Sequence, residues 1–288
     1  NSATSPSHRS PTDSAEEAIF KDYKQLEIPL PPLSEQRRLV GLLDAAFAGL
    51  ATAEANTRRN LTNARELFET HRSRVFGEIH DNWTTAPLDA AVDSISTGPF
   101  GSLLHKSDYI EGGTPLVNPI NIVDGEIEQD PRKAVDEKKH RQLAPYTLQT
   151  GDVVIGRRGE IGRSAIVTKK ENGWLCGTGC FVIRPGGDID PYFLCHLLRS
   201  DRYLALLEGQ SDRATMPSIS NKQLAKLAIN YPPLNVQKSI NDELKFYWDA
   251  TVQIAALSSS KLAALEELKQ SLLHRTFHGE LSGVTVAS

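Results

Sequence analysis

The segment Gly156-Arg157-Arg158-Gly159-Glu160-Ile161-Gly162-Arg163 sets three guanidinium groups among three glycines. Glycine lets a chain turn tightly and come close to another surface. A guanidinium can pair with two acceptors at once, as phosphate oxygens or the edge of guanine require. The glycine spacing is GxxGxxG, not GxGxxG, and a strand pattern follows it, so a dinucleotide fingerprint is excluded. The segment reads as a Gly-flanked hairpin in which Arg157, Arg158 and Arg163 contact a groove or phosphates, or else as a solvated hairpin tip. Gly98-Pro99-Phe100-Gly101-Ser102, followed by His105 and Lys106, has the same blend of small turn residues and polar groups. Such a turn brings backbone close to a phosphate or base edge, or simply buries Phe100. Asn118 and Asn121, in Asn118-Pro119-Ile120-Asn121, stand at a strand end, where an amide can pair with adenine. Arg213, Thr215 and Ser218 precede a short closing helix with Lys222 on its first turn. They suit contact with an acidic polymer, although a capped helix start explains Ser218 equally well.

Other chemistries are poorly served. Asn118-Pro119-Ile120-Asn121 departs at its third and fourth positions from the Asn-Pro-Pro-aromatic motif of adenine methyltransferases, and no glycine-rich cofactor segment precedes it. Cys176 and Cys180 have no second cysteine pair and no histidine at ligand spacing, which argues against zinc. No HExxH helix or P-loop lysine occurs, so the expectation is a protein that is not an enzyme, holding neither metal nor cofactor. Three cysteines among 288 residues do not make a disulfide framework and fit a reducing cytoplasm. No apolar run reaches the roughly 18 residues of a membrane span. The formal charge of −4 lacks the basic excess usual for a nucleic-acid footprint. Residues 82–226 alone hold 17 basic and 18 acidic side chains. Any case for nucleic acid therefore rests on local clusters and on what holds them.

What holds them is announced by an internal repeat. Leu26, Ile28, Pro31, Pro32, Leu33 and Gln36 recur 201 residues later as Leu227, Ile229, Pro232, Pro233, Leu234 and Gln237. The register persists through Leu61 and Leu262, then Arg74-Val75-Phe76 and Arg275-Thr276-Phe277. Both copies close on Gly-Glu-aliphatic, at Gly77 and Gly279. Each copy reads as one helix of roughly 45 residues: the proline pair forbids helix before it, and Ser34 or Asn235 is placed as N-cap. Leu39, Leu43, Ala46, Leu50 and Ala53, then Leu61, Ala64, Phe68 and Val75, alternate steps of three and four. Ile240, Leu244, Tyr247, Ile254, Leu265, Leu268 and Leu272 do much the same. That spacing predicts a coiled coil. Thr57–Asn60 and Ser258–Lys261 interrupt both helices with polar residues, either as a register-setting layer or as a surface kept for a partner.

The intervening residues alternate β-branched runs with glycine turns: Val92–Ser96, Leu116–Ile122, Asp152–Ile155, Ser164–Thr168 and Cys180–Arg184. Helical pieces are predicted near Val135–Leu143 and Pro191–Glu208, and the run Arg132 to Arg141 reads as a solvated helix face. The predicted fold is α+β, a globular domain inserted between two long helices that form an antiparallel coiled coil. The divisions are 1–27, a flexible start and remnant of a preceding domain; 28–80, the first helix; 81–226, the globular domain; and 227–288, the second helix and tail.

In chain order, GPFGSLLH (98–105), VNPINI (117–122), GDVVIGRRGEIGR (151–163), CGTGCFVIRP (176–185) and ISNKQLAKLAINYPPLNVQ (219–237) resemble a target-recognition domain. Specificity subunits of type I restriction–modification systems are built from two such domains, each followed by a long helix. The resemblance covers residues 15–282 and departs from the family in having one complete recognition domain. It implies the second half of such a subunit with its central helix, or a natural half-length relative that forms a homodimer. It further implies a non-catalytic reader of double-stranded DNA, taking one half of a bipartite target. Its partners would be methyltransferase subunits, which carry S-adenosylmethionine, and restriction and motor subunits. The competing readings are the recognition module of a related methyltransferase or restriction enzyme, and a coiled-coil adaptor that binds protein.

Overall fold

A computed structural model describes residues 31–100, 103–210 and 218–281. The expectations for Gly101, Ser102, Arg213, Thr215 and the first 30 residues lie outside them. In chain order the elements are α1 (Leu33–Phe76), β1 (Thr84–Pro87), α2 (Leu88–Ala91), β2 (Val92–Thr97), β3 (Thr114–Val117), β4 (Ile122–Val123), β5 (Glu126–Ile127) and β6 (Ala134–Val135). There follow α3 (Glu137–Gln142), β7 (Val153–Gly156), β8 (Ser164–Ile166), β9 (Leu175–Cys176), β10 (Cys180–Pro185), α4 (Pro191–Leu198), α5 (Asp201–Gln210), α6 (Asn221–Ala225), β11 (Ala228–Tyr231) and α7 (Leu234–Phe277). The chain divides into two compact units, residues 58–258 and a smaller one made of 1–57 with 259–288.

The two long helices begin and end at positions 201 residues apart, and each has 44 residues, about 66 Å at 1.5 Å per residue. The repeated residues explain the shared start. Gln36 Nε2 donates to the Pro31 carbonyl at 2.8 Å, and Gln237 Nε2 to the Pro232 carbonyl at 2.7 Å. The Pro32 and Pro233 carbonyls accept the first helical bonds. Proline therefore takes the cap position, and Ser34 and Asn235 lie one turn residue inside the helix, not at the N-cap the sequence suggested.

Within residues 58–258 the helices run antiparallel: Thr251 Oγ1 donates to the Ala64 carbonyl, the Phe68 and Trp248 rings are 5.2 Å apart, and His71 lies 4.3 Å from the Tyr247 ring. Within the smaller unit Arg38 Nη2 reaches the Leu281 carbonyl at 2.7 Å. Buried positions follow a heptad, Leu50, Thr57, Ala64 and His71 on α1 and Gln237, Leu244, Thr251 and Ser258 on α7. Leu39 belongs to the same buried face. Thr57 and Ser258 are buried, so the polar interruption supplies an inner hydroxyl to each helix, while Arg58–Asn60 stay exposed. Ile254 and Leu268 fall outside the buried face, because the heptad steps through Thr251 and Leu265 instead.

The globular domain carries an antiparallel sheet in the order β2-β10-β7-β8 and a mixed sheet β6-β3-β9. β4 and β5 form a hairpin, and β1 pairs with β11 where the chain enters and leaves. Alternate residues of the four-stranded sheet divide between two cores. Val153, Ile155, Phe181 and Ile183 face α4 and the ends of the long helices, which add Phe68, Phe76 and Leu244. Val154, Ala165, Val182 and Cys180 pack with Val117, Ile122 and Ile127. The strand expected over Leu116–Ile122 breaks after Val117, because Pro119 starts a one-turn 3-10 helix. The helix expected over Pro191–Glu208 is two, parted at Arg199–Ser200. Buried Asn230 closes the neck: its side chain accepts from the His80 amide at 3.0 Å and donates to Thr85 Oγ1 at 3.0 Å.

Candidate nucleic-acid interface

Strand pairing brings the predicted segments together. β10 is antiparallel to both β2 and β7, so Phe181 stands opposite Thr97 on one side and Ile155 on the other. The C-terminal ends of β2 and β7 thus share one edge with the N-terminal end of β10. β3 and β9 run parallel, placing Val117 beside Cys176, and the Gly177 amide donates to the Val117 carbonyl at 2.8 Å. Gly98, Asn118, Arg157 and Gly177–Gly179 therefore meet at one end of the domain. The packing there is backbone on backbone: a Cβ on Gly98 would lie 1.9 Å from the Gly177 carbonyl oxygen. Gly98 is thus a packing residue, and its close approach is to the protein's own chain.

Arg157 occupies the middle of this edge. Its amide donates to the Gly179 carbonyl at 2.9 Å and its carbonyl accepts from the Ile219 amide at 3.1 Å, pinning the backbone on both sides. Its guanidinium carbon lies 4.9 Å from the Phe100 ring centroid and 5.3 Å from that of Phe181. Nε is buried without an acceptor. Burial, then the neighbouring Arg158, lowers its pKa from the usual arginine value, and a guanidinium remains charged all the same. Phe100 is not buried by its turn: it is 47 % exposed, with Arg157 over its ring.

The hairpin expected from the glycine spacing is present, with β7 paired to β8 and Arg157–Arg163 between them. Its three arginines differ. Arg158 is exposed and bridges to Ser218 through the backbone. Arg163 is held by Glu160 in an ion pair, so half of its charge is already answered. Asn121 is buried and used by the fold: Oδ1 accepts from the Asn118 amide at 2.9 Å and Nδ2 donates to the Glu128 carbonyl at 3.0 Å. This corrects its expected contact with adenine, because a capping amide with both ends engaged cannot also read a base. Asn118 caps the same turn, its Oδ1 close against Gly177. His105 and Lys106 sit on a separate exposed turn closed by Asp108, which Lys139 pairs at 3.0 Å. Lys222 is exposed on the first turn of α6, whose cap is Ser220. Phe181 and Gly177 escaped sequence reading, since a strand aromatic and a turn glycine look structural until the pairing is known.

Elsewhere the polar groups serve the fold. Burial pushes the Cys176 thiol up to about 12 and raises Cys180 and Cys195 too, so all three stay as neutral thiols. Among the described residues no group of His, Cys, Asp and Glu could hold a metal. A cleft of about 820 Å³ beside the hairpin contains Arg72, Arg163 and Arg199 but also Glu69, Glu160 and Glu208, a balance that favours neither sign of ligand. No helix among the described residues is long and apolar enough to cross a membrane.

The chain is similar to the putative type I restriction enzyme MjaX specificity subunit of Methanocaldococcus jannaschii, with 28% identity over 73% of this chain and 51% of that protein. It also resembles the type I restriction enzyme MjaVIII specificity subunit of the same organism, at 24% identity over 91% and 63%, and the Escherichia coli EcoBI specificity subunit, at 22% over 88% and 58%. It thus spans between half and two thirds of the length of these relatives. A solved chain of the type I R-M system superposes with a TM-score of 0.69, at 23% identity over 88% of this chain and 62% of that one. The HsdS subunit from Thermoanaerobacter tengcongensis gives 0.58, also at 23%, over 88% and 60%, and both likenesses speak for the fold. The type I restriction modification DNA specificity domain matches residues 105–263, more than half of the sequence, and the chain belongs to that family.

Proposed function

We propose that this chain reads one half of a bipartite DNA target and performs no chemistry itself. The observation that carries the reading is the single edge at which β2, β3, β7 and β10 deliver Phe100, Arg157, Arg158 and Ser218. A rigid sheet end presenting guanidinium groups suits sequence reading, and the long helix pair suits docking of methyltransferase subunits, which would supply S-adenosylmethionine. Restriction and motor subunits would join the same assembly. With a formal charge of −4, few phosphates are neutralised, so the chain alone binds DNA weakly and steeply with salt.

The test is duplex binding by the full chain with and without its cognate methyltransferase subunit, together with transfer of a labelled methyl group. Tight, sequence-dependent binding and methylation are expected only with the partner. Methyl transfer by the purified chain would overturn the non-catalytic reading, and sequence-independent binding by the complex would overturn the reading role.

A further inference from the structure

We infer that Arg157 reads the major-groove edge of a guanine, and that Phe100 and Phe181 hold its guanidinium in the plane that this requires. The inference rests on the proposed DNA-reading function and names the residue that supplies one position of its specificity.

Three observations separate Arg157 from the other arginines of the domain. Several of those are answered by acids: Arg163 by Glu160, Arg184 by Asp152 at 2.8 Å, Arg141 by Glu137 at 2.8 Å and Arg132 by Asp130 at 3.1 Å. Arg157 has no acidic partner among the described residues. Its backbone is fixed on both sides, to Gly179 and Ile219, so the root of the side chain does not move. Its guanidinium is covered by Phe100 and Phe181, with Nε buried and unpaired. A chain that desolvates one nitrogen and stacks the group on aromatic rings has lost much of its rotational freedom before any ligand arrives. Less is then lost when the terminal nitrogens find acceptors.

Planarity decides which acceptors. A phosphate accepts a cation from many directions, and exposed Arg158 next door suits that. Guanine offers N7 and O6 side by side in one plane, matching a fork whose plane is fixed. Phe100 is a positioning residue here: at 47 % exposed it contributes little to the core, yet it covers one side of the guanidinium.

The experiment selects preferred sites from random duplex DNA, using the full chain with its cognate methyltransferase subunit, and then measures affinity site by site. One guanine in the half-site read by this chain should vanish from the preference of Arg157→Ala. Affinity for the original site should fall by roughly 5- to 150-fold, with no change for sites already lacking that guanine. Arg157→Lys, which keeps the charge and loses the fork, should lose the same preference. Phe100→Leu should weaken it in part. Replacing that guanine with 7-deazaguanine removes N7 while the protein stays intact, and should cost affinity even if Arg157→Ala fails to fold. A uniform loss across all sequences would make Arg157 a phosphate contact, and an unchanged preference would remove it from the interface. Either result overturns the inference while the reading function stands. Absence of any sequence preference in the unmodified complex would overturn both.

Discussion

Phe76 and Phe277 hold the same place in two copies of one helix, yet the first is 2 % exposed and the second 78 %. Both helices start after a proline pair, both use a glutamine to close the first turn, and both stop at a phenylalanine. The surroundings differ. Phe76 sits 5.3 Å from the Phe193 ring, inside the larger core of the globular domain. Gln237 answers the Asp188 carbonyl and the Asp190 amide besides its own proline, whereas Gln36 answers only its proline carbonyl among the described residues. The stops differ as well: Gly279 is left-handed at φ 74° and ends α7 two residues after Phe277, while Gly77 follows Phe76 directly. Repeated residues thus set where a helix begins and ends, and the attached domain sets what each position is worth.

Alanine at the two phenylalanines gives the widest expected gap. Phe76→Ala should destabilise the chain by about 3–5 kcal/mol, the usual cost of emptying a core aromatic site. Phe277→Ala should stay within about 0.5 kcal/mol. Urea unfolding of both variants measures the gap, and equal losses would mean that the two ends are packed alike in solution. A smaller gap is expected at the glutamines. Gln237→Ala strands a buried amide and carbonyls and should cost about 2–3 kcal/mol, against about 0.5–1 kcal/mol for Gln36→Ala. Thermal unfolding of the pair would show whether the repeat contributes equally at both ends.

The smallest step is set by pH and belongs to the domain end alone. Burial, then Arg199 and Arg72, pushes His196 down to about 3. The unfolded chain takes up a proton near pH 6.5 and the native chain does not until about pH 3, so stability falls as pH drops through that window. The contribution approaches about 1.4 kcal/mol per pH unit. His196→Gln should flatten this part of the pH dependence of the urea midpoint. An identical slope in both proteins would place the titration elsewhere.

Much of this architecture was legible in the residues. The 201-residue offset and the proline pairs located both helices, and the glycine spacing located the β7–β8 hairpin. The recognition edge was legible only in pieces. Arg157, Asn118 and Phe100 are far apart in sequence, and only the pairing of β10 with β2 and β7 shows that they converge. Asn121 misled because an amide that reads a base and one that caps a turn have the same chemistry. Its partner, the Glu128 carbonyl, comes from across the β4–β5 hairpin, where no local pattern points. Arg163 misled for a simpler reason, since Glu160 three residues away already claims it.

The neck of the domain has a mechanical consequence. Thr84 pairs with Tyr231 at the end nearest the helices, and Pro87 pairs with Ala228 at the far end. A force drawing the C-terminal end of α1 away from the N-terminal end of α7 would load the Thr84–Tyr231 end first. The bonds of an antiparallel ladder pulled from one end part in turn, like a zipper, whereas a sheet pulled along its strands loads them together. The neck is therefore the soft element of this fold under tension, and Asn230, linked to His80 and Thr85 beside the first pair, is the clasp that must fail before it opens.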